Sequence, residues 1–188
     1  RDLPLLRQAA DVTDVGVAVS VGFTDEAMWR AIEPGTPAPA RRLDVVRQMR
    51  AAGIPCNVLM APVLPYLTDS PAQLRQTVRP IAAAGATSVT PLTLHLRPGA
   101  REWFWRWLAA NRSDLVRRYE VMYADGAYAP RWYQRRITRQ VHELAAEYGM
   151  GPARGGGHRS PAPAEPEDPE DGEEPPARPS PAQQLTLL

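Results

Sequence analysis

Lysine is absent from this chain of 188 residues, and cysteine occurs once, at Cys56. A single thiol excludes a disulfide within the chain, and no cysteine cluster for zinc or iron–sulfur can be assembled from these residues alone. All 22 basic residues are therefore arginine. That bias fits a GC-rich genome as readily as bidentate anion contacts, so it selects no ligand. Long apolar runs are missing too. Arg, Pro or Asp interrupts each one well short of a bilayer's width, so no membrane span is expected. No signal-peptide pattern stands at Arg1, and the expected location is the cytoplasm. The chain opens directly on a helix-like pattern, which is expected of a fragment of a longer protein.

The near-neutral total hides two regions of opposite sign. Residues 1–150 hold 19 of the 22 basic and 14 of the 21 acidic residues, about +5 net, whereas 151–188 hold three Arg against seven acids, about −4. The body reads as alternating helices and strands. Apolar spacing predicts a helix over Leu3 to Ala10, and the β-branched run VGVAVSV predicts a strand over 15–21. Thr24 is the expected N-cap of a short helix through Ile32, which Glu33-Pro34 closes. A second helix is expected over Arg41 to Ala52 and a third over Pro71 to Ala84, ended by Gly53 and Gly85. Strands follow each, near 54–61 and 87–94. The phrases AAGIPCNVLMAP and AAGATSVTPLTL repeat that unit. Strand–helix–strand with short loops is what a parallel sheet requires.

From Gly99 the pattern becomes helical, continuously over 101–126 and again from Ala129 to Gly149. After Met150 the sequence is Pro, Gly and acid without apolar periodicity, and disorder is expected. Three parts result: an α/β part over 1–96, a helical extension over 97–150, and a tail over 151–188 that ends in the apolar peptide QLTLL.

NVLMAPVLPYLTD poses the main question. An apolar strand stops at Pro62 and Pro65 and breaks into a polar turn, so its carboxyl-end backbone is held in a fixed shape. In parallel α/β proteins that end is where ligands sit. Ser20, Glu33, the Arg41/Arg42 pair and the Pro62–Pro65 exit can be read as one strand-end pocket, its hydroxyl, carboxylate and guanidinium suited to ribose, amine and carboxylate groups. Spacing alone favours reading them as a backbone-bonded hydroxyl and a helix stop. His95 and Arg97 point to one side at the end of the third strand, as loop residues or as substrate contacts. The spacing of Trp103, Phe104, Trp107 and Leu108 fits a core stripe better than a stacking platform. Residues 97–139 carry ten Arg against four acids, interleaved with aromatics. That suits a nucleic acid partner, and it also suits a solvated helix face with a packed underside.

The segment EP…RRL…AGIP…MAPVLP…TD, within residues 1–150, resembles the radical SAM superfamily, in its branch related to spore photoproduct lyase and an actinobacterial subgroup of it. The resemblance implies an α/β fold, the C-terminal half of a partial (β/α)6 TIM-like barrel with parallel strands. It implies S-adenosylmethionine bound beside a [4Fe–4S] cluster at the carboxyl face. By the same resemblance Ser20 approaches the ribose, Arg42 and Glu33 meet the methionine end, and Pro62 and Val63 form the shelf under the adenine and methionyl groups. The family's Cys-x3-Cys-x2-Cys loop has no counterpart here, and Cys56 starts its strand at the wrong end for ligation. The chain is thus expected to be the inactive second half of an enzyme that cleaves S-adenosylmethionine to a 5′-deoxyadenosyl radical, with DNA repair as its setting. The other reading is a non-catalytic basic module that binds nucleic acid or protein. The terminal peptide resembles the Gln-Leu-x-Leu-Phe motif that docks repair proteins on the bacterial sliding clamp. Gln184, Leu185 and Leu187 match it, and Leu188 replaces the aromatic.

Overall fold

A computed structural model describes residues 2–152, and the chain divides into two units, Arg1–Gly156 and Gly157–Leu188. The second unit, and with it the expected disorder and the docking residues Gln184, Leu185, Leu187 and Leu188, lies outside the described residues.

Helix α1 (Leu3–Ala10) leads into strand β1 (Val17–Ser20), followed by helices α2 (Glu26–Ile32) and α3 (Pro39–Ala51). Strand β2 (Cys56–Val63), helix α4 (Pro71–Ala83) and strand β3 (Ser88–Thr93) complete a mixed α/β arrangement. The three strands pair in the order β1-β2-β3, all parallel, with Ser20 opposite Leu59 and Leu59 opposite Thr90. Helices α5 (Ala100–Asn111), α6 (Val116–Met122) and α7 (Arg131–Glu147) follow. Among the described residues that makes seven α-helices, none of them long and apolar enough to cross a membrane.

Local chemistry explains most of these boundaries. Ser70 and Gln73 form a reciprocal capping box at the start of α4. Gly85, just past its end, has φ +86°, a conformation costly for any residue with a Cβ. At α2 the cap is Asp25, whose carboxylate accepts from the Met28 N–H at 2.8 Å. Thr24 instead donates to the Gln76 carbonyl at 3.3 Å. The helix expected over 101–126 is broken. Arg112 leaves helical geometry, Ser113–Leu115 form a single 3-10 turn, and α6 restarts at Val116. Asn111, Ser113 and Asp114 offer the backbone competing partners there. Arg112 binds Asp114 through Nε at 2.9 Å and Nη2 at 2.8 Å.

One face of the sheet is covered. Val58, Met60 and Val89 are buried with Leu43, Val46 and Met49 of α3. Helix α7 lies against β3 and α4 and buries Tyr133, Ile137, Val141 and Leu144. The segment 97–150 is thus packed into the same core as the sheet. Phe104 and Leu108 carry the buried stripe of α5, while Trp103 is 42% exposed. The other face carries Ala18 and Ser20 of β1, Asn57 and Leu59 of β2, and Ser88, Thr90 and Leu92 of β3, where the buried Ser88 hydroxyl donates to Asn57 at 2.9 Å. Ala18, Ser20 and Leu92 are exposed there, and Asn57, Leu59 and Thr90 are partly exposed.

Candidate functional site at the carboxyl edge of the sheet

Parallel pairing brings the ends of all three strands to one edge, so Ser20, Pro62 and His95 share it, as their spacing implies. The exit of β1 runs against that of β2. The Val21 N–H donates to the Leu59 carbonyl at 2.8 Å, and Gly22 then passes so close that a Cβ there would lie 2.8 Å from the Pro62 oxygen and 2.9 Å from the Ala61 carbonyl carbon. The Ala61–Pro62 peptide is cis, and the β2–β3 register shifts between Met60 and Val63. Val63 is wholly buried and its carbonyl accepts from the Leu94 N–H at 3.0 Å, so its side chain backs the shelf and does not face a ligand. Pro62 remains half-exposed.

Side chains from the C-terminal helices fix this rim from outside. Tyr119 of α6 donates to the Pro65 carbonyl at 2.5 Å, and Tyr123 to the Leu94 carbonyl at 2.8 Å. Burial pushes both phenols well above their ordinary range, so they remain donors. Tyr133 of α7 donates to Asp69 at 2.9 Å, and Arg136 reaches the same oxygen at 2.9 Å. Between these anchors Tyr66 holds a left-handed backbone (φ +62°), its half-exposed ring edge-on to Tyr119 and under the Arg118 guanidinium at 4.7 Å. Non-glycine residues in that region persist where the surroundings over-determine them. No periodicity flags Tyr66; only its place between Pro65 and the TD turn could have.

Arg42, Glu33 and Ser20 do come together. Arg42 Nη2 lies 2.7 Å from the Glu33 carboxylate, Nη1 donates to the Ser20 carbonyl at 3.0 Å, and Nε donates to the Pro37 carbonyl at 2.9 Å. The Thr36 hydroxyl donates to the Glu33 carbonyl at 2.9 Å and accepts from the Trp29 indole at 3.1 Å. In this arrangement Arg42 holds three groups of the chain itself. Its charge is already matched by Glu33 and its fork is spent on backbone, so it frames the β1 exit. The exposed Ser20 hydroxyl is left toward the partly exposed face.

At the end of β3, His95 stacks on Tyr128 with centroids 3.9 Å apart and rings inclined by 14°. Partial burial, and then the Arg97 charge, hold its imidazole below the usual histidine range. Arg97 is exposed beside it. The basic and aromatic content of 97–139 divides. Tyr119, Tyr123 and Tyr133 are core, and Arg112, Arg117, Arg136 and Arg139 are paired with acids. Tyr128 and Trp132 stay exposed. Cys56 lies at the opposite, amino-terminal edge, buried, its thiol pushed up by desolvation. Among the described residues no group of three His, Cys, Asp or Glu side chains could hold a metal ion.

The chain is 47% identical over 167 residues to the uncharacterized protein Rv2578c of Mycobacterium tuberculosis and to Mb2609c of Mycobacterium bovis. Each match covers 89% of this chain and 48% of the relative. It is 31% identical over 100 residues to ORF301 of Acidianus two-tailed virus, covering 52% of this chain and 33% of the viral protein. The chain thus spans about half the length of the mycobacterial relatives it matches. No family model and no solved structure matches it.

Proposed function

We propose that this chain is the second half of a radical SAM (β/α) barrel, and that the carboxyl edge of its sheet carries part of the S-adenosylmethionine site. The observation that carries the reading is the rim itself: three parallel strand ends with Ser20, Pro62 and His95 together, beside a sheet face on which Ala18, Ser20 and Leu92 are exposed. The donor set fits the nucleoside part of that ligand. Ser20 offers a free-standing hydroxyl for a ribose oxygen, the Gly22–Pro62 contact leaves a flat backbone shelf, and the Tyr119 and Tyr123 anchors keep that shelf from moving. When bound, S-adenosylmethionine would supply, on one-electron reduction, the radical chemistry of the family.

The described residues do not fit a [4Fe–4S] cluster. The only thiol is buried at the far edge, and a site-differentiated cluster needs three thiolates. No step is therefore assigned to this chain beyond binding and orienting the nucleoside.

The test uses the longer mycobacterial relative beside this chain. After anaerobic reconstitution the relative should hold about four irons per chain, and this chain none. Addition of S-adenosylmethionine should change the electron paramagnetic resonance signal of the reduced relative. A relative that takes up no iron would remove the radical SAM reading.

A further inference from the structure

Three tyrosines of the C-terminal helices bury their rings in the core, and they differ in what receives the hydroxyl proton. Tyr119 and Tyr123 donate to the carbonyls of Pro65 and Leu94. An amide oxygen accepts a hydrogen bond but is far too weak a base to keep a proton. Tyr133 donates instead to the Asp69 carboxylate at 2.9 Å, an anion that can keep one. Both ends of that bond are shielded, Tyr133 being 1% exposed and Asp69 8%. Burial, and then the neighbouring Asp69 charge, push the Tyr133 phenol above its ordinary range, so it holds its proton in the resting protein. Arg136 completes the group. Its Nη2 lies 2.9 Å from the same Asp69 oxygen, and its guanidinium stands 5.0 Å over the centre of the Tyr133 ring. The second feature is a contact with the surface. Trp132 is 60% exposed, and its indole meets the Tyr133 ring edge-on with centroids 5.9 Å apart. Indole and phenol give up an electron far more readily than aliphatic or amide groups, so a buried donor here touches a solvent-facing one. Tyr119 lies in a larger ring cluster, with Tyr66, Phe104, Trp105 and Tyr123, but no base faces its hydroxyl.

We infer that Trp132, Tyr133 and Asp69 form a one-electron redox site, which reduces a one-electron oxidant arriving from solvent and brings the oxidising equivalent to rest on Tyr133. In the first step the oxidant takes one electron from the Trp132 indole and leaves a radical cation. In the second, one electron passes from Tyr133 to that indole and restores it, while the Tyr133 O–H bond breaks and its proton passes to Asp69. The products are a neutral phenoxyl radical at Tyr133, a neutral carboxylic acid at Asp69 and the oxidant reduced by one electron. Electron and proton leave together. A phenol radical cation would be an unpaired buried charge, set against the like charge of Arg136 over the same ring. When Asp69 becomes neutral, Arg136 keeps a hydrated charge, because 34% of its side chain meets solvent. Burial of Tyr133 then keeps the phenoxyl from coupling with other phenols. An electron from a solvent reductant, returned through Trp132, reverses both steps. The inference goes beyond the S-adenosylmethionine reading and uses neither its cofactor nor its half-barrel.

The experiment oxidises the intact chain with photogenerated tris(bipyridine)ruthenium(III), using a cobalt(III) ammine as sacrificial acceptor. The radical is timed by transient absorption and identified by electron paramagnetic resonance after freezing. A neutral tyrosyl signal is expected, which narrows when the protein is made with ring-deuterated tyrosine. Tyr133→Phe should remove most of that signal. Asp69→Asn keeps a hydrogen-bond acceptor but no base, and should slow formation of the tyrosyl radical about a hundredfold, the usual loss for a positioned proton acceptor. Trp132→Phe should slow its appearance without changing its spectrum. In deuterium oxide the unaltered chain should form the radical more slowly, an effect that a merely structural role of Asp69 would not produce and that needs no variant to fold. A tyrosyl signal undiminished in Tyr133→Phe, a wild-type rate in folded Asp69→Asn, or equal rates in the two solvents would each overturn the inference, as would an indole radical as the sole product in the unaltered chain.

Discussion

Asp69→Ala tests whether the C-terminal helices are what holds the rim. The carboxylate is 8% exposed and accepts from both Tyr133 and Arg136. Tyr133 is 1% exposed, so without Asp69 its hydroxyl keeps a donor that water cannot reach. An orphaned buried donor together with a lost charge-assisted bond costs about 3 kcal/mol. Arg136 adds little to this, because a third of its side chain lies in solvent and its pairing is screened. Tyr133→Phe removes the donor itself and leaves Asp69 with Arg136, at a cost of about 1 kcal/mol. The double variant should then lose about 1 kcal/mol less than the sum of the two singles, because the orphan created by one change is removed by the other. For a unit of this size, about 3 kcal/mol lowers Tm by about 6–12 °C. Melting followed by far-ultraviolet circular dichroism at neutral pH reads all four proteins. Strict additivity, or an Asp69→Ala melt within about 2 °C of wild type, would refute the claim that α7 anchors the β2 exit.

Gly22→Ala should destabilise by about 1–3 kcal/mol, since the new methyl meets backbone atoms of Ala61 and Pro62 that cannot swing aside; a neutral substitution would show that the β1 and β2 exits lie further apart. Cys56 should react with a thiol reagent only as fast as the protein opens, because it is buried with a raised pKa, and prompt reaction in native buffer would move it out of the core. His95 titrates below its unfolded value of about 6.5, so the unfolded chain binds the extra proton first. The stability tied to its neutral form is complete above that value and falls as pH drops through the window toward the folded pKa. His95→Gln should flatten that part of the Tm–pH curve, and Arg97→Ala should move the His95 titration upward by proton NMR. A slope unaffected by His95→Gln would place the titrating group elsewhere.

The strands were the most legible part of the sequence. Cys56 to Val63 is apolar apart from Asn57 and bounded by Gly53 and Pro65, and Gly53 and Gly85 stop the helices that precede the second and third strands. The break at Arg112 was hidden, because apolar spacing runs on through Leu108, Leu115 and Tyr119 and only the polar cluster Asn111–Asp114 signals the interruption. The sequence also could not say which tyrosines are core. Tyr119 and Tyr128 look alike in composition, yet one is fully buried and the other 55% exposed. The partners that decide this are remote: Tyr119 finds Pro65 and Tyr133 finds Asp69, 54 and 64 residues away. Periodicity reports which face of a helix is apolar; it does not report which loop that face will meet.

Arg42 shows how much of a side chain's role depends on partners that residue type alone does not name. A guanidinium near a strand end suggests an anion, and the side chain is indeed at the rim, only 16% exposed. Burial at that level needs a counter-charge, which Glu33 supplies at 2.7 Å, so the pair presents little net field to a ligand. Its value to the site is geometric: one side chain ties the end of α2, the Pro37 turn and the last carbonyl of β1 together. Substituting lysine would keep the charge but lose the fork, since one ammonium cannot reach three acceptors spread around a plane. Arg42→Lys should therefore behave nearly as badly as Arg42→Ala in hydrogen exchange across Ser20 to Phe23. Were the residue a simple charge for an anionic ligand, Arg42→Lys would exchange like wild type there and Arg42→Ala alone would lose ligand affinity. The contrast between the two substitutions is thus the direct measure of whether this arginine holds the protein or the ligand.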